Sequence, residues 1–286
     1  MAQGFVKSCD DQNRCLEEVG NEYFKDLLWR SFFQEAVTDS FGDVIRRKMH
    51  DLMHDLAISV AGSLITTLND KKRNIHEKTR HVSVVDDCEA IFASSKCLRV
   101  LDLHRRNLEL LPSSIGKLKH LRYLDLSSNR NLKKLPNSIT RLQNLQTLNL
   151  SSCYRLEKLP NSIVELKHLR YLDLSWSTNL KKLPNFMSKL QNLQILNLSN
   201  CFSLVELPRD MKELVNLRHL KIDGCNRLTY MPRGLGLLTN LQTLSKFVVH
   251  KDPFSPHSSG LKELKGLHNL RGNLAIQNLR HKKDGA

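Results

Sequence analysis

The sequence is poor in the features that would point to chemistry. It has no Gly-x-x-x-x-Gly-Lys-Ser/Thr run, so it cannot build a phosphate loop. It has neither a Gly-x-Ser-x-Gly turn nor a supported Cys/His pair, so no nucleophile is set beside a base and no catalytic site is expected. The seven cysteines are odd in number and form no Cys-x-x-Cys pair, which argues against a disulfide framework and a zinc ribbon. No apolar run is long enough to span a membrane, which takes about 18 residues. The first ten residues also lack a signal-type apolar stretch, so the expected setting is a reducing cytoplasm. Aromatic residues make up only 6% of the chain, while leucine dominates its 40% apolar fraction. A core built of one side chain suggests a repeated layer rather than an irregular jigsaw.

Charge is plentiful but uneven. Residues 1–62 hold seven Lys/Arg against eleven Asp/Glu, a net −4, and the rest holds 37 against 18, a net +19. Two units with opposite surfaces are implied, the basic one suited to an acidic partner.

The leucines recur with a period. Leu121-Arg-Tyr-Leu-Asp-Leu126 returns as Leu145-Gln-Thr-Leu-Asn-Leu150, Leu169-Arg-Tyr-Leu-Asp-Leu174, Leu193-Gln-Ile-Leu-Asn-Leu198 and Leu217-Arg-His-Leu-Lys-Ile222, in steps of 24 residues. A slightly short unit begins at Leu98, another begins at Leu241 and falters around 247–260, and a weak last one follows from Leu270. Apolar residues at positions 1, 4 and 6 place alternate side chains of a short strand inward. The second half of each unit reads Leu-Pro-x-x-Ile/Met/Leu-x-x-Leu, with Pro112, Pro136, Pro160, Pro184, Pro208 and Pro232 in six consecutive units. Proline cannot donate to a strand ladder, so it marks the return arm. One unit cannot bury its leucines alone, but stacked units can. The expected fold is α/β, a leucine-rich-repeat solenoid with parallel strands on its concave face. Small residues at position 9 (Asn129, Cys153, Ser177, Cys201 and Cys225) are expected to cap backbone groups of neighbouring turns.

Upstream, Leu16, Val19, Tyr23 and Leu27 share a helical stripe, and 31–36 with 44–48 read as a hairpin. A second helix is expected from about Met49 to Val60 with Leu52, Leu56 and Val60 inward. The expected organisation is residues 1–62 as the end of a winged-helix domain and 63–95 as a connector, with Arg80–Val85 as a capping strand. Residues 96–286 form about seven repeats, irregular at 247–260.

The segment Met49-His50-Asp51 resembles the MHD motif of plant nucleotide-binding leucine-rich-repeat disease resistance proteins, the NB-ARC-LRR family. Residues 19–27 and 30–35 resemble the sequence flanking that motif in the coiled-coil branch, and Met1–Phe5 a stretch of its winged helix. Lys133-Lys-Leu-Pro-Asn-Ser-Ile139 resembles the cytoplasmic rather than the extracellular repeat type. The resemblance implies innate immunity: a protein partner, such as a pathogen effector or a guarded host protein, plus a nucleotide-binding domain in the intact receptor. It also implies that His50 and Asp51 sense ADP or ATP, but only where such a domain is supplied. No cofactor is expected in this chain, which reads as a fragment lacking that domain.

His50 and His54 share a helical face, but the next residue is Asp51 rather than Glu and no third ligand is placed, so no metal site is expected. A winged helix could bind DNA, yet the N-terminal segment is the acidic one, which argues against it. The candidate protein-recognition residues are Tyr123, Asp125, Tyr171, Asp173, Trp176, Asn197, His219 and Lys221, outward on the concave face. Lys133, Lys134, Lys158, Lys181 and Lys182 recur just before the Leu-Pro step and are expected to stack into a basic ridge. The alternative to a receptor segment is a stand-alone cytoplasmic repeat scaffold.

Overall fold

The protein is described from a computed structural model. It covers residues 95–250 and 260–279 continuously, strands at 33–38, 44–49, 65–68 and 81–84, and isolated residues between 19 and 92. Three sheets are present among the described residues. Strands β1 (Phe33–Thr38) and β2 (Val44–Met49) form an antiparallel hairpin with Phe33 opposite Met49. Nine parallel strands form the main sheet in chain order: β3 (Ile65–Leu68), β4 (His81–Val84), β5 (Val100–Asp102), β6 (Tyr123–Asp125), β7 (Thr147–Asn149), β8 (Tyr171–Asp173), β9 (Ile195–Asn197), β10 (His219–Lys221) and β11 (Thr243–Leu244). Strands β12 (Lys246–Val248) and β13 (Ala275–Gln277) pair separately.

The leucine spacing produces this order directly. Leu124, Leu148, Leu172, Leu196 and Leu220 are mutual partners in successive strands, and each is fully buried. The buried leucines from Leu98 to Leu241 form one continuous apolar cluster with Phe92 at its head and Phe247 at its foot. Each return arm is a 3-10 turn rather than an α-helix: Ser113–Lys117, Asn137–Arg141, Asn161–Glu165, Met187–Lys189, Arg209–Glu213 and Leu235–Leu237. With three residues per turn, side chains three apart eclipse, so Ile139 and Leu142 both face the core. The turns that begin at Ser113, Asn137, Asn161 and Arg209 follow directly on their proline, whose φ near −60° presets the helical direction.

Two backbone devices repeat. Position 8 of the first six units is left-handed: Arg105, Ser128, Ser152, Trp176, Asn200 and Gly224 all have φ between 55° and 67°. Position 9 carries the caps expected from the sequence. Asn129 accepts from the Arg106 and Leu108 amides and donates to the Leu103 and Leu126 carbonyls. The Cys153, Cys201 and Cys225 thiols and the Ser177 hydroxyl each donate to a carbonyl one coil back. Burial pushes the Cys153 thiol up to about 12 and the Cys225 thiol up to about 11, so these sulfurs stay protonated and unreactive.

Some expectations need correction. The main sheet starts two strands before Val100, and β3 had no visible periodicity. Met49 ends strand β2 instead of opening a helix. Of the helical residues described, Val19 is buried, but Tyr23, Leu56 and Val60 are 54%, 54% and 79% exposed rather than inward. Helical periodicity identified their element, but no burying surface covers them among the described residues. The irregularity after Leu241 is where the main sheet ends and the β12–β13 pair begins.

Candidate functional site

The concave face is ordered by position. Position 3 of each unit forms an unbroken row: Val100, Tyr123, Thr147, Tyr171, Ile195, His219 and Thr243, each half-buried and in register with the next. Outward side chains at this spacing are the natural contact surface of a parallel sheet.

Position 5 is different, because its polar groups are turned to internal use. Asp125 Oδ1 accepts from the Ser127 amide at 2.8 Å, and its Oδ2 accepts from the Tyr123 hydroxyl and the Asn149 amide. Asp173 repeats the arrangement with Ser175, Tyr171 and Asn197 and adds the Ser175 hydroxyl at 2.7 Å. Burial, reinforced by the neighbouring carboxylates, holds both tyrosine hydroxyls well above their ordinary pKa. Asp173 is only 7% exposed, so its assignment as an outward contact residue does not hold: four donors converge on it and it braces the sheet. Asn197 and the matching Asn149 spend their amides the same way. His219 accepts or donates at 3.0 Å to Thr243, and Lys221 is half-buried beside it.

Trp176 does not lie on the strand face. It occupies the left-handed turn just past β8, 45% exposed, with the Phe202 ring edge-on at 5.9 Å. Phe202 is 40% exposed and went unnoticed in the sequence, although it stands where neighbouring units carry Arg130, Tyr154, Thr178 and Asn226. Its column already holds the aromatic Tyr154, so aligning the units at 24 residues does not by itself single it out.

The five lysines of the candidate ridge lie at the same two positions of their units. Lys134 and Lys158 are direct backbone partners, and all five lysines are exposed. Two acids interrupt the ridge: Glu157, one coil on from Lys133, and Glu206, which holds Lys182 at 2.8 Å. That contact lowers the Glu206 carboxyl and raises the Lys182 amine. Arg130 and Arg155 extend the same surface, with Arg130 stacked 5.6 Å over the Tyr154 ring. His50 and Asp51 lie outside the described residues.

Among the described residues, no group of three or more His, Cys, Asp or Glu side chains could hold a metal ion. Also among them, no helix is long and apolar enough to cross a membrane.

Known proteins match this arrangement. The family model for the disease resistance protein winged helix domain matches residues 1–57, and the leucine-rich repeat region model matches 79–169 and 164–284. The RGA1 sequence of Solanum bulbocastanum is 42% identical over 135 residues, covering 45% of this chain and 13% of that protein. Disease resistance protein RGA2 of the same species is 39% identical over 127 residues, 42% of this chain and 13% of its own length. The matched stretch thus spans about an eighth of these relatives. Among solved structures, the leucine-rich repeat domain of the type III effector XopL aligns at 20% identity and a TM-score of 0.47, over 82% of this chain and 96% of that one.

Proposed function

The chain belongs to the plant disease resistance proteins, as part of their winged-helix and leucine-rich-repeat region, and on that premise we propose that it is a non-catalytic recognition segment. It binds a protein partner through the concave face and restrains an adjoining nucleotide-binding domain, which it contacts through the basic ridge. The partner is a pathogen-derived protein or a host protein under guard, met in the cytoplasm. His50 and Asp51 act as nucleotide sensors only once that domain is joined to them.

One observation carries the reading: the position-3 row. Its members differ in chemistry from coil to coil, while the leucines beneath do not change. A surface whose framework is constant and whose contact residues vary can be matched to a protein without cost to the fold. The half-buried, rigid Tyr123 and Tyr171 suit an interface centre, since aromatic anchors contribute most of the affinity there.

Site-specific photocrosslinking tests this. An intact receptor carrying this segment would bear the crosslinker at His219, on the concave row, or at Val215, 52% exposed outside it. During a defence response, protein adducts should form from position 219 and not from 215. Adducts from 215 alone, or from neither, would reject the concave reading. For the restraint, K134E/K158E should release the chain from co-precipitation with a separately expressed nucleotide-binding domain. Undiminished co-precipitation would remove the ridge from the proposal.

A further inference from the structure

The described residues expose large apolar side chains unevenly. Coils 2 and 3 (residues 121–168) expose none, whereas coils 4 and 5 (169–216) expose Trp176, Phe186, Phe202, Val205 and Val215. Two of these, Trp176 and Phe202, lie in the turns through which the chain leaves the strands and are in ring contact, and Val205 follows shortly after. Trp176 is also the one aromatic among the six left-handed position-8 residues, where Asn200 and Gly224 are the residue types that conformation favours. The backbone therefore works against tryptophan there, and the side chain is not compensated by full burial.

The stretch that follows these turns carries the basic ridge, in coils 2 to 4. Lys133, Lys134, Arg155, Lys158 and Lys181 are exposed, against Glu157 and the paired Glu206. An aromatic anchor at one end and an excess of positive charge at the other define a polarised strip along the edge.

We infer that this edge, from coil 2 to coil 5, binds a short acidic peptide segment of a partner protein whose apolar end seats on Trp176 and Phe202. Coils stack at the spacing of paired strands, about 4.8 Å, so three steps span roughly 15 Å, the length of about four or five extended residues. Acidic side chains of that stretch would meet the lysines, and an aliphatic or aromatic residue would close on the ring pair. The inference rests on the reading that the chain binds protein and shares the basic ridge with the proposed contact to a nucleotide-binding domain; the Trp176–Phe202 pair and the partner chemistry are its own.

The test uses the full chain and a fluorescein-labelled Asp-Glu-Asp-Glu-Phe-Leu peptide, read by fluorescence anisotropy. Wild type should bind it, more weakly as salt rises. W176N and F202N should each weaken binding about tenfold or more, as loss of an interface anchor does. Both place in one coil a residue that the next coil already holds there, Asn200 or Asn226, so thermal midpoints should not fall; W176G, which copies Gly224, is the reserve variant. A peptide with Ser-Ser in place of Phe-Leu should bind as weakly as the variants do. Equal affinity of wild type, W176N and F202N, or of the two peptides, would reduce the effect to bulk charge and overturn the inference. So would failure of wild type to bind. Phe202 lies outside the concave set, so this result is independent of the crosslinks at His219.

Discussion

Coils 2–3 and coils 4–5 share one framework and differ in what they show to solvent. Both pairs bury leucine at positions 1, 4 and 6, both brace an aspartate with a tyrosine hydroxyl, and both cap with small position-9 residues. Yet coils 2–3 put Ser128 and Ser152 in the left-handed turn, while coil 4 puts Trp176 there and a second left-handed aromatic, Phe186, before its return arm. Two coils further on, the residue in the place of Phe186 is Gly234. The comparison separates positions held by packing from positions free to be used. Where a framework tolerates glycine but holds a large exposed ring, the ring serves something other than stability.

The largest effect should be indifferent to this contrast. L148A and L196A remove fully buried partners in coils 3 and 5, and each should cost about 3 kcal/mol in denaturant unfolding. A clear inequality would mean that the two pairs of coils are not packed alike. Next comes the internal acid. D173A leaves four donors without their acceptor in a buried place and should cost about 2 kcal/mol, more than D125A, whose carboxylate accepts three bonds and is half-buried. If the order reversed, Asp173 would return to the list of contact residues.

A smaller effect of opposite sign is expected at Phe186. F186G removes a left-handed, 66% exposed aromatic and should stabilise by about 1 kcal/mol, whereas S152G should change stability by a few tenths at most. Stabilisation by both or by neither would break the contrast between the coils.

The smallest effect at neutral pH concerns the cysteines. Folding raises the thiols of Cys153 and Cys225 above their ordinary value near 9, so the unfolded chain ionises first. Their stability contribution is complete below pH 9 and is lost as pH rises through the folded values of about 11 and 12. The thermal midpoint should therefore decline above pH 9, and C153N, which copies Asn129, should flatten that decline. At pH 7 iodoacetamide should label exposed Cys97 in the native chain and spare Cys153, Cys201 and Cys225, as read by mass spectrometry.

Much of this was legible in the residues. The 24-residue period predicts the strands and the caps, and the hairpin ahead of them follows from its two strand-like segments and the turn residues between them. The candidate site was legible only in part. Trp176 is legible as an exposed aromatic, but the left-handed turn that holds it past the strand is a backbone feature that strand parity does not reveal. Val205 is the one apolar residue in a column of Lys133, Glu157, Lys181 and Thr229, and Phe202 shares its column with Tyr154; neither alters the leucine period that carries the fold. Asp173 looked like a contact residue because outward parity alone cannot reveal that three neighbours donate to it.

The repeat needs no tertiary information, because leucine at strand parity followed by proline can bury its apolar face in only one way, by stacking on its own copies. Which polar groups remain available to a partner is a different matter. It depends on hydrogen bonds between residues 24 apart, on left-handed turns that redirect a side chain off the sheet, and on strands such as β3 that pair without a visible pattern. Those contacts exist only once the coils lie against one another, since each joins groups that no single unit contains.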